Sequence, residues 1–180
     1  MSTKPEFYTN EIIIPDDVSM NKDQNLITAN GSNGKVQKDF TKIPALIEIS
    51  DGKITIRSYG NRKSDFALVN TVHSLIRNMI KGSTSGFTYK LKIVFAHFPI
   101  SVKIKGQQVF IENFFGERSA RISKILGKDT KVTVHGDDIL ITGPDIEHVS
   151  QTAANIESST RIKNKDSRVF LDGVYIYSKD

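Results

Sequence analysis

The chain predicts an α+β protein of two tandem similar units, each an antiparallel β-sheet packed against one helix. Three observations carry that expectation: short runs of alternating β-branched residues, two amphipathic helical patterns, and a weak internal repeat. Strand runs are Ile47-Glu48-Ile49, Ile54-Thr55-Ile56, Val102-Lys103-Ile104, Val132-Thr133-Val134 and Ile139-Leu140-Ile141, whose period of two puts one apolar face toward a core. A cover for that face comes from Leu68, Val69, Val72, Leu75, Ile76, Met79 and Ile80, at helical spacing, with Ser64 or Asp65 as cap candidates and Gly82 as the stop. The second helix reads as Ile146, Val149, Ala153 and Ile156, opened by Asp145.

The repeat aligns Ile14-Pro15, Val18 and Met20 with Phe98-Pro99, Val102 and Ile104, 84 positions on. Leu26, Thr28 and Asn30 then match Val109, Ile111 and Asn113 at 83, and Gly34 matches Gly116 at 82. Ile54-Thr55-Ile56 matches Ile139-Leu140-Ile141. A repeat this long means tandem domains rather than a solenoid. We expect an N-terminal α+β unit over 1–84 and a C-terminal one over 85–180, joined by Gly82 to Gly86.

A net charge of +5 and a pI near 9.3 favour an anionic partner without identifying it. The distribution says more: residues 1–56 carry −2, residues 57–128 carry +10 and residues 129–180 carry −3, with a second basic cluster over 161–179. There is no cysteine, so disulfides and thiolate metal sites are excluded. No signal-like N-terminus or long apolar run occurs, and we expect a soluble, untargeted protein without a membrane partner.

Enzyme chemistry finds no footing. Gly31-Ser32-Asn33-Gly34-Lys35 lacks the spacing of a phosphate loop and reads as a hairpin turn. His73, His97, His135 and His148 have no zinc-ligand spacing, and Asp137-Asp138 reads as a hairpin loop. Gly116-Glu117-Arg118-Ser119-Ala120-Arg121 offers no base-oriented nucleophile. No catalytic residue, metal or cofactor is expected.

Cations repeat in more purposeful settings. Asn61, Arg62 and Lys63 precede the first helix, where a cationic turn and a helix N-terminus suit phosphate oxygens, although a solvated cap explains them too. Lys90 and Lys92, like Lys103 and Lys105, share one face of a strand, as RNA contacts or as an ordinary solvated face. Arg118, Arg121 and Lys124 recur every three residues, lined up along a helical turn or extended ribbon. Near the end, Lys163, Asn164, Lys165 and Arg168 form a charged loop in which Asp166 orders the cations. The cations would meet phosphates and Asn164 a ribose or base edge, while Phe170, Leu171 and Tyr175 have the character of a strand, Asp172-Gly173 dropping Tyr175 into the core.

That last segment, Lys163 to Tyr175, resembles the C-terminal signature of the large-subunit ribosomal protein six family in its eukaryotic and archaeal form, protein nine in the older eukaryotic naming. The resemblance extends over almost the whole chain through Gly60-Asn61-Arg62-Lys63, Asn78-Met79-Ile80-Lys81-Gly82 with Gly86-Phe87, Tyr89-Lys90 and Ala96-His97-Phe98-Pro99-Ile100. It implies two copies of an α+β unit, the second binding most of the RNA, with Lys81 among the contacts. It also implies a structural, non-enzymatic role on large-subunit rRNA at the stalk base and the stem of the sarcin–ricin loop, in a cytoplasmic ribosome. Neighbouring ribosomal proteins, including those of the stalk base, would be partners, with translational GTPases docking nearby. An RNA-binding module of another RNP stays open as the alternative.

Overall fold

The computed structural model describes residues 6–50, 52–96, 98–163, 165–166 and 168–180. It divides into two compact units, Met1–Ser85 and Gly86–Asp180.

In the first unit, β1 (Thr9–Ile13), β2 (Ser19–Asp23), β3 (Leu26–Gly31), β4 (Gly34–Asp39), β5 (Ala45–Ser50) and β6 (Lys53–Ser58) precede α1 (Lys63–Thr84). They form two antiparallel three-stranded sheets, ordered β2-β3-β4 and β1-β6-β5. α1 lays Val69, Val72, Ile76, Met79 and Ile80 against Ile27, Ala29, Ile54 and Ile56. Each fully buried aliphatic side chain here contributes about 1.5–3 kcal/mol by leaving water, so the helix is held by this stripe more than by its intrinsic propensity.

The second unit runs β7 (Phe87–Val94), β8 (Ser101–Lys105), β9 (Gln108–Glu112), a 3₁₀ turn at Phe114–Gly116, β10 (Arg121–Lys124), β11 (Lys131–His135), β12 (Asp138–Gly143), α2 (Ile146–Ser159) and β13 (Gly173–Lys179). Its sheets are β8-β9-β10 and β11-β12-β7-β13, all antiparallel. Val149, Ala153 and Ile156 of α2 pack with Leu91, Ile139, Ile141 and Val174. Asp145 caps α2 as expected, accepting from the Glu147 N–H at 2.9 Å.

The α+β class therefore stands, with two sheets in each unit where one was expected. The expectation fell short because β2 (Ser-Met-Asn-Lys-Asp) and β4 (Gly-Lys-Val-Gln-Lys-Asp) carry too few apolar residues to advertise a strand. The cap of α1 is also different. Arg62 is the N-cap residue and Asp65, at the third helical position, accepts its N–H at 2.9 Å. Gly82 does not stop the helix; it is buried inside it, and Gly86, at φ +74°, follows the end.

The repeat is genuine but in another register. Val18, Met20, Ile27 and Ala29 correspond to Ile100, Val102, Val109 and Ile111, each 82 positions apart, because these residues pair and pack alike in β2-β3 and β8-β9. Aligning Leu26 with Val109 slips the strand by one residue and exchanges its faces. Tyr175 does not drop into the core as expected. β13 alternates with Val174 inward and Tyr175 outward and exposed, so Val174 rather than Tyr175 enters the core. Leu171 is exposed as well.

Candidate nucleic-acid interface

Three segments distant in sequence meet at the C-terminal loop of the second unit. Asp172, itself buried, accepts the Ala96 N–H at 3.2 Å and ties 95–96 to the loop base. Phe115 meets Phe114 edge-on at 4.8 Å and Phe170 at 5.9 Å. The Lys165 ammonium lies 5.0 Å from the Phe170 ring and 5.8 Å from that of Phe115, which holds this cation over an aromatic base. Phe115 itself takes φ +51°, a conformation an aromatic residue adopts only where surrounding packing enforces it.

Asp166 orders this loop through Arg168. Its carboxylate accepts from Arg168 Nε at 3.1 Å, from Nη2 at 2.9 Å and from the backbone N–H at 3.0 Å, while its carbonyl accepts from the N–H groups of Val169 and Phe170. The Arg168 side-chain bonds, then its backbone bond, hold the Asp166 carboxyl below its ordinary value, and Asp166 raises Arg168 in return. Lys163 and Lys165, just before Asp166, are exposed. Asn164 lies outside the described residues.

Arg121 is a clamp within the unit. Its guanidinium pairs with Glu117 through Nε at 2.9 Å and Nη2 at 2.6 Å, and its Nη1 donates to the carbonyls of Ser159 (2.9 Å) and Arg161 (3.2 Å). It also lies 4.1 Å from the Phe114 ring centre. Hydrogen bonding and charge from Arg121 lower the Glu117 carboxyl. The three-residue spacing does not align Arg118, Arg121 and Lys124 as expected. Arg121 and Lys124 sit in β10, where residues three apart point to opposite faces; Arg118 and Lys124 are exposed.

Lys90 and Lys92 do share a face of β7, but carboxylates meet them: Asp180 lies 3.7 Å from Lys90 and Asp138 3.3 Å from Lys92. Lys103 pairs with Glu112 at 2.6 Å. Exposed pairs like these contribute little stability and leave less charge for a polyanion.

In the first unit, Asn61, Arg62 and Lys63 are exposed and line a cavity of about 450 Å³ with Tyr8 and Phe66. Lys81 is exposed in the last turn of α1, where a cation complements the carbonyl end of the helix. The cavity aromatics escaped the sequence reading. Phe66 had a usable signal, since it stands on the helical row of Asn70, His73 and Arg77 rather than on the apolar stripe. Phe115 had none, because its partner Phe170 is far along the chain.

Among the described residues no cluster of His, Asp or Glu is arranged to hold a metal ion, and no helix is long and apolar enough to cross a membrane. The family model for ribosomal protein L6 matches residues 98–173. The large ribosomal subunit protein uL6 of Staphylothermus marinus is 47% identical over 176 residues, covering 96% of this chain and 95% of that protein. Its namesake from Methanosphaera stadtmanae is 46% identical over 171 residues, 95% and 93% of the two chains. That of Aeropyrum pernix is 42% identical over 168 residues, 93% and 92%.

Proposed function

The chain belongs to the ribosomal protein L6 family, structural and non-enzymatic proteins of the large ribosomal subunit, and from that premise we propose that it scaffolds rRNA at the base of the stalk and along the stem of the sarcin–ricin loop, in a cytoplasmic ribosome. The observation that supports this reading is the end-to-end similarity to large-subunit proteins combined with a cationic loop braced from three segments. The second unit is the main contact. Lys163, Lys165 and Arg118 neutralise phosphates, while the loop fits RNA by shape and 2′-hydroxyl contacts instead of reading base edges. Neighbouring ribosomal proteins of the stalk base pack nearby, and translational GTPases dock within reach.

The test replaces Lys163 and Lys165 with Glu, leaving Arg168 to hold Asp166. Because Lys22 donates to the Ile47 carbonyl at 2.5 Å, the exposed Lys35 and Lys53 serve as the control pair. We expect the loop variant to be depleted from large subunits in sucrose gradients and its rRNA affinity to fall less steeply with salt, the logarithmic slope shrinking by about 0.7–0.9 per lost phosphate contact. The control pair should enter subunits normally. Wild-type occupancy of the loop variant would exclude the loop as the main RNA contact.

A further inference from the structure

We propose that the cavity lined by Tyr8, Asn61, Arg62, Lys63 and Phe66 in the first unit binds one unpaired RNA nucleotide, its base lying against Phe66 and its flanking phosphates against Arg62 and Lys63. The assignment extends the RNA-binding reading to a second place on the chain and rests on it.

The aromatic ring comes first. Phe66 is 51% exposed although it belongs to the first turn of a helix whose apolar stripe is buried. Left bare, that surface is an unrecovered hydrophobic cost. Tyr8 meets Phe66 edge-to-face, with ring centres 5.1 Å apart and planes at 62°, so the pair is oriented while ring face stays open to a stacking partner.

The cavity is built by buried bonds. Ser58, 3% exposed, donates its N–H to the Tyr8 carbonyl at 2.9 Å and accepts the Tyr8 N–H on Oγ at 2.8 Å. The same hydroxyl donates to the Gly60 carbonyl at 2.7 Å, joining residue 8 to the turn that carries Asn61 and Arg62. Gly60 lets Asp65 approach, since a Cβ there would stand 2.9 Å from Asp65 Oδ2. Asp65 spends its carboxylate on the Arg62 backbone N–H, and among the described residues neither the Arg62 nor the Lys63 side chain is drawn into an ion pair.

These ingredients select a class of ligand. An exposed ring with two cations and an amide beside it matches the chemistry of single-stranded nucleic acid, in which a π-face, a phosphodiester and hydrogen-bonding edges lie within one nucleotide of each other. The volume of about 450 Å³ falls within the ordinary range of ligand pockets. A duplex would reach the cations but could not offer a base face to Phe66.

The experiment uses the full chain with fluorescent octauridylate and octaadenylate, and a hairpin duplex of matched charge. Phe66→Leu keeps an apolar side chain and should weaken single-strand binding about 5- to 150-fold, the loss of one stacked base, without changing the salt slope. Phe66→Trp should restore it, and duplex binding should not respond to either variant. Arg62→Glu with Lys63→Glu should lower the slope by about 1.4, for two phosphates of a single strand. Lys163→Glu with Lys165→Glu should lower subunit incorporation, and in that background Phe66→Leu should still weaken single-strand binding by the same factor, so failure of the nucleotide site and failure of the rRNA reading are separable. Unfolding curves of Phe66→Leu matching the wild type establish that the fold is kept. Equal single-strand affinity in Phe66→Leu and wild type would overturn the proposal. So would ultraviolet cross-linking of intact large subunits in which the peptide bearing Phe66 is joined to a protein and not to a nucleotide.

Discussion

The first unit orders one sheet β1-β6-β5; the second repeats it as β7-β12-β11 and then adds β13 on the far side of β7. The central residues hardly differ, Ile54 and Ile56 standing where Ile139 and Ile141 stand, all four fully buried. The turns differ far more. β3 and β4 are joined by Ser32 and Asn33 alone, whereas β9 and β10 are separated by residues 113–120 with a 3₁₀ turn and two non-glycine residues at positive φ. A duplicated frame thus keeps its close-packed interior, where volume changes are costly, and varies its turns, where they are cheap.

The same contrast appears at the helix ends, where the last carbonyls have no partner within the helix. For α1 the short turn supplies them: Asn33 N–H donates to Ser83 at 2.8 Å, Asn33 Nδ2 to Gly82 at 3.3 Å and Ser32 Oγ to Thr84 at 3.1 Å. Gly31 permits this closeness, since a Cβ would lie 2.5 Å from the Ser83 carbonyl oxygen. For α2 the long connection delivers the Arg121 guanidinium instead. One task is done by a backbone turn in one copy and by a charged side chain in the other.

The largest test of the comparison is to hollow each core in turn. Ile56→Ala and Ile141→Ala should each cost about 2–5 kcal/mol, and in calorimetry each should lower only the transition of its own unit. A single transition moved equally by both would show that the units do not unfold independently.

A smaller effect is expected at the helix ends. Arg121→Ala should destabilise the second unit by about 1–3 kcal/mol by stranding carbonyls and Glu117, and Lys in its place should not rescue a forked contact. Asn33→Ala should cost less, about 0.5–1.5 kcal/mol, because the backbone donor remains. Acid should weaken the Glu117–Arg121 contact. Glu117 is depressed in the folded state, so its share is complete above the ordinary carboxylate range and is lost as pH falls through the depressed value. The gap between wild type and Arg121→Ala, followed by chemical denaturation at descending pH, should therefore narrow; since Glu117 is partly exposed, the change is modest. A gap independent of pH would mean the carbonyls carry all of it.

The smallest difference belongs to the caps. Asp145→Ala removes an N-cap acceptor and should cost about 0.5–2 kcal/mol, whereas Asp65→Ala leaves the N-cap residue in place and should cost less. Equal losses in thermal melts would contradict the distinction between the two caps.

Much of this frame is legible in the sequence. Five period-two runs became strands β5, β6, β8, β11 and β12, and both apolar stripes became helices, since each pattern repeats within a few residues. β2 and β4 were hidden by their polar composition, and the repeat was recognisable while its register was not. Similar residues in the same order determine that a segment recurs, but a strand's face is decided by what packs above it.

The cations divide along the same line. The chain alone determined that Lys163, Lys165, Arg118 and the Asn61-Arg62-Lys63 turn are charged or polar surface, and its motifs determined the family. Tertiary structure decided which charges are committed: Arg121 to carbonyls 38 and 40 residues away, Lys92 to Asp138, Lys90 to Asp180. It also decided that Phe66 and Tyr8 meet beside two cations that no ion pair among the described residues engages. The reason is range. Periodicity and capping act within a turn or two of chain, whereas the availability of a charge depends on partners brought close only when the sheets and helices close over their cores.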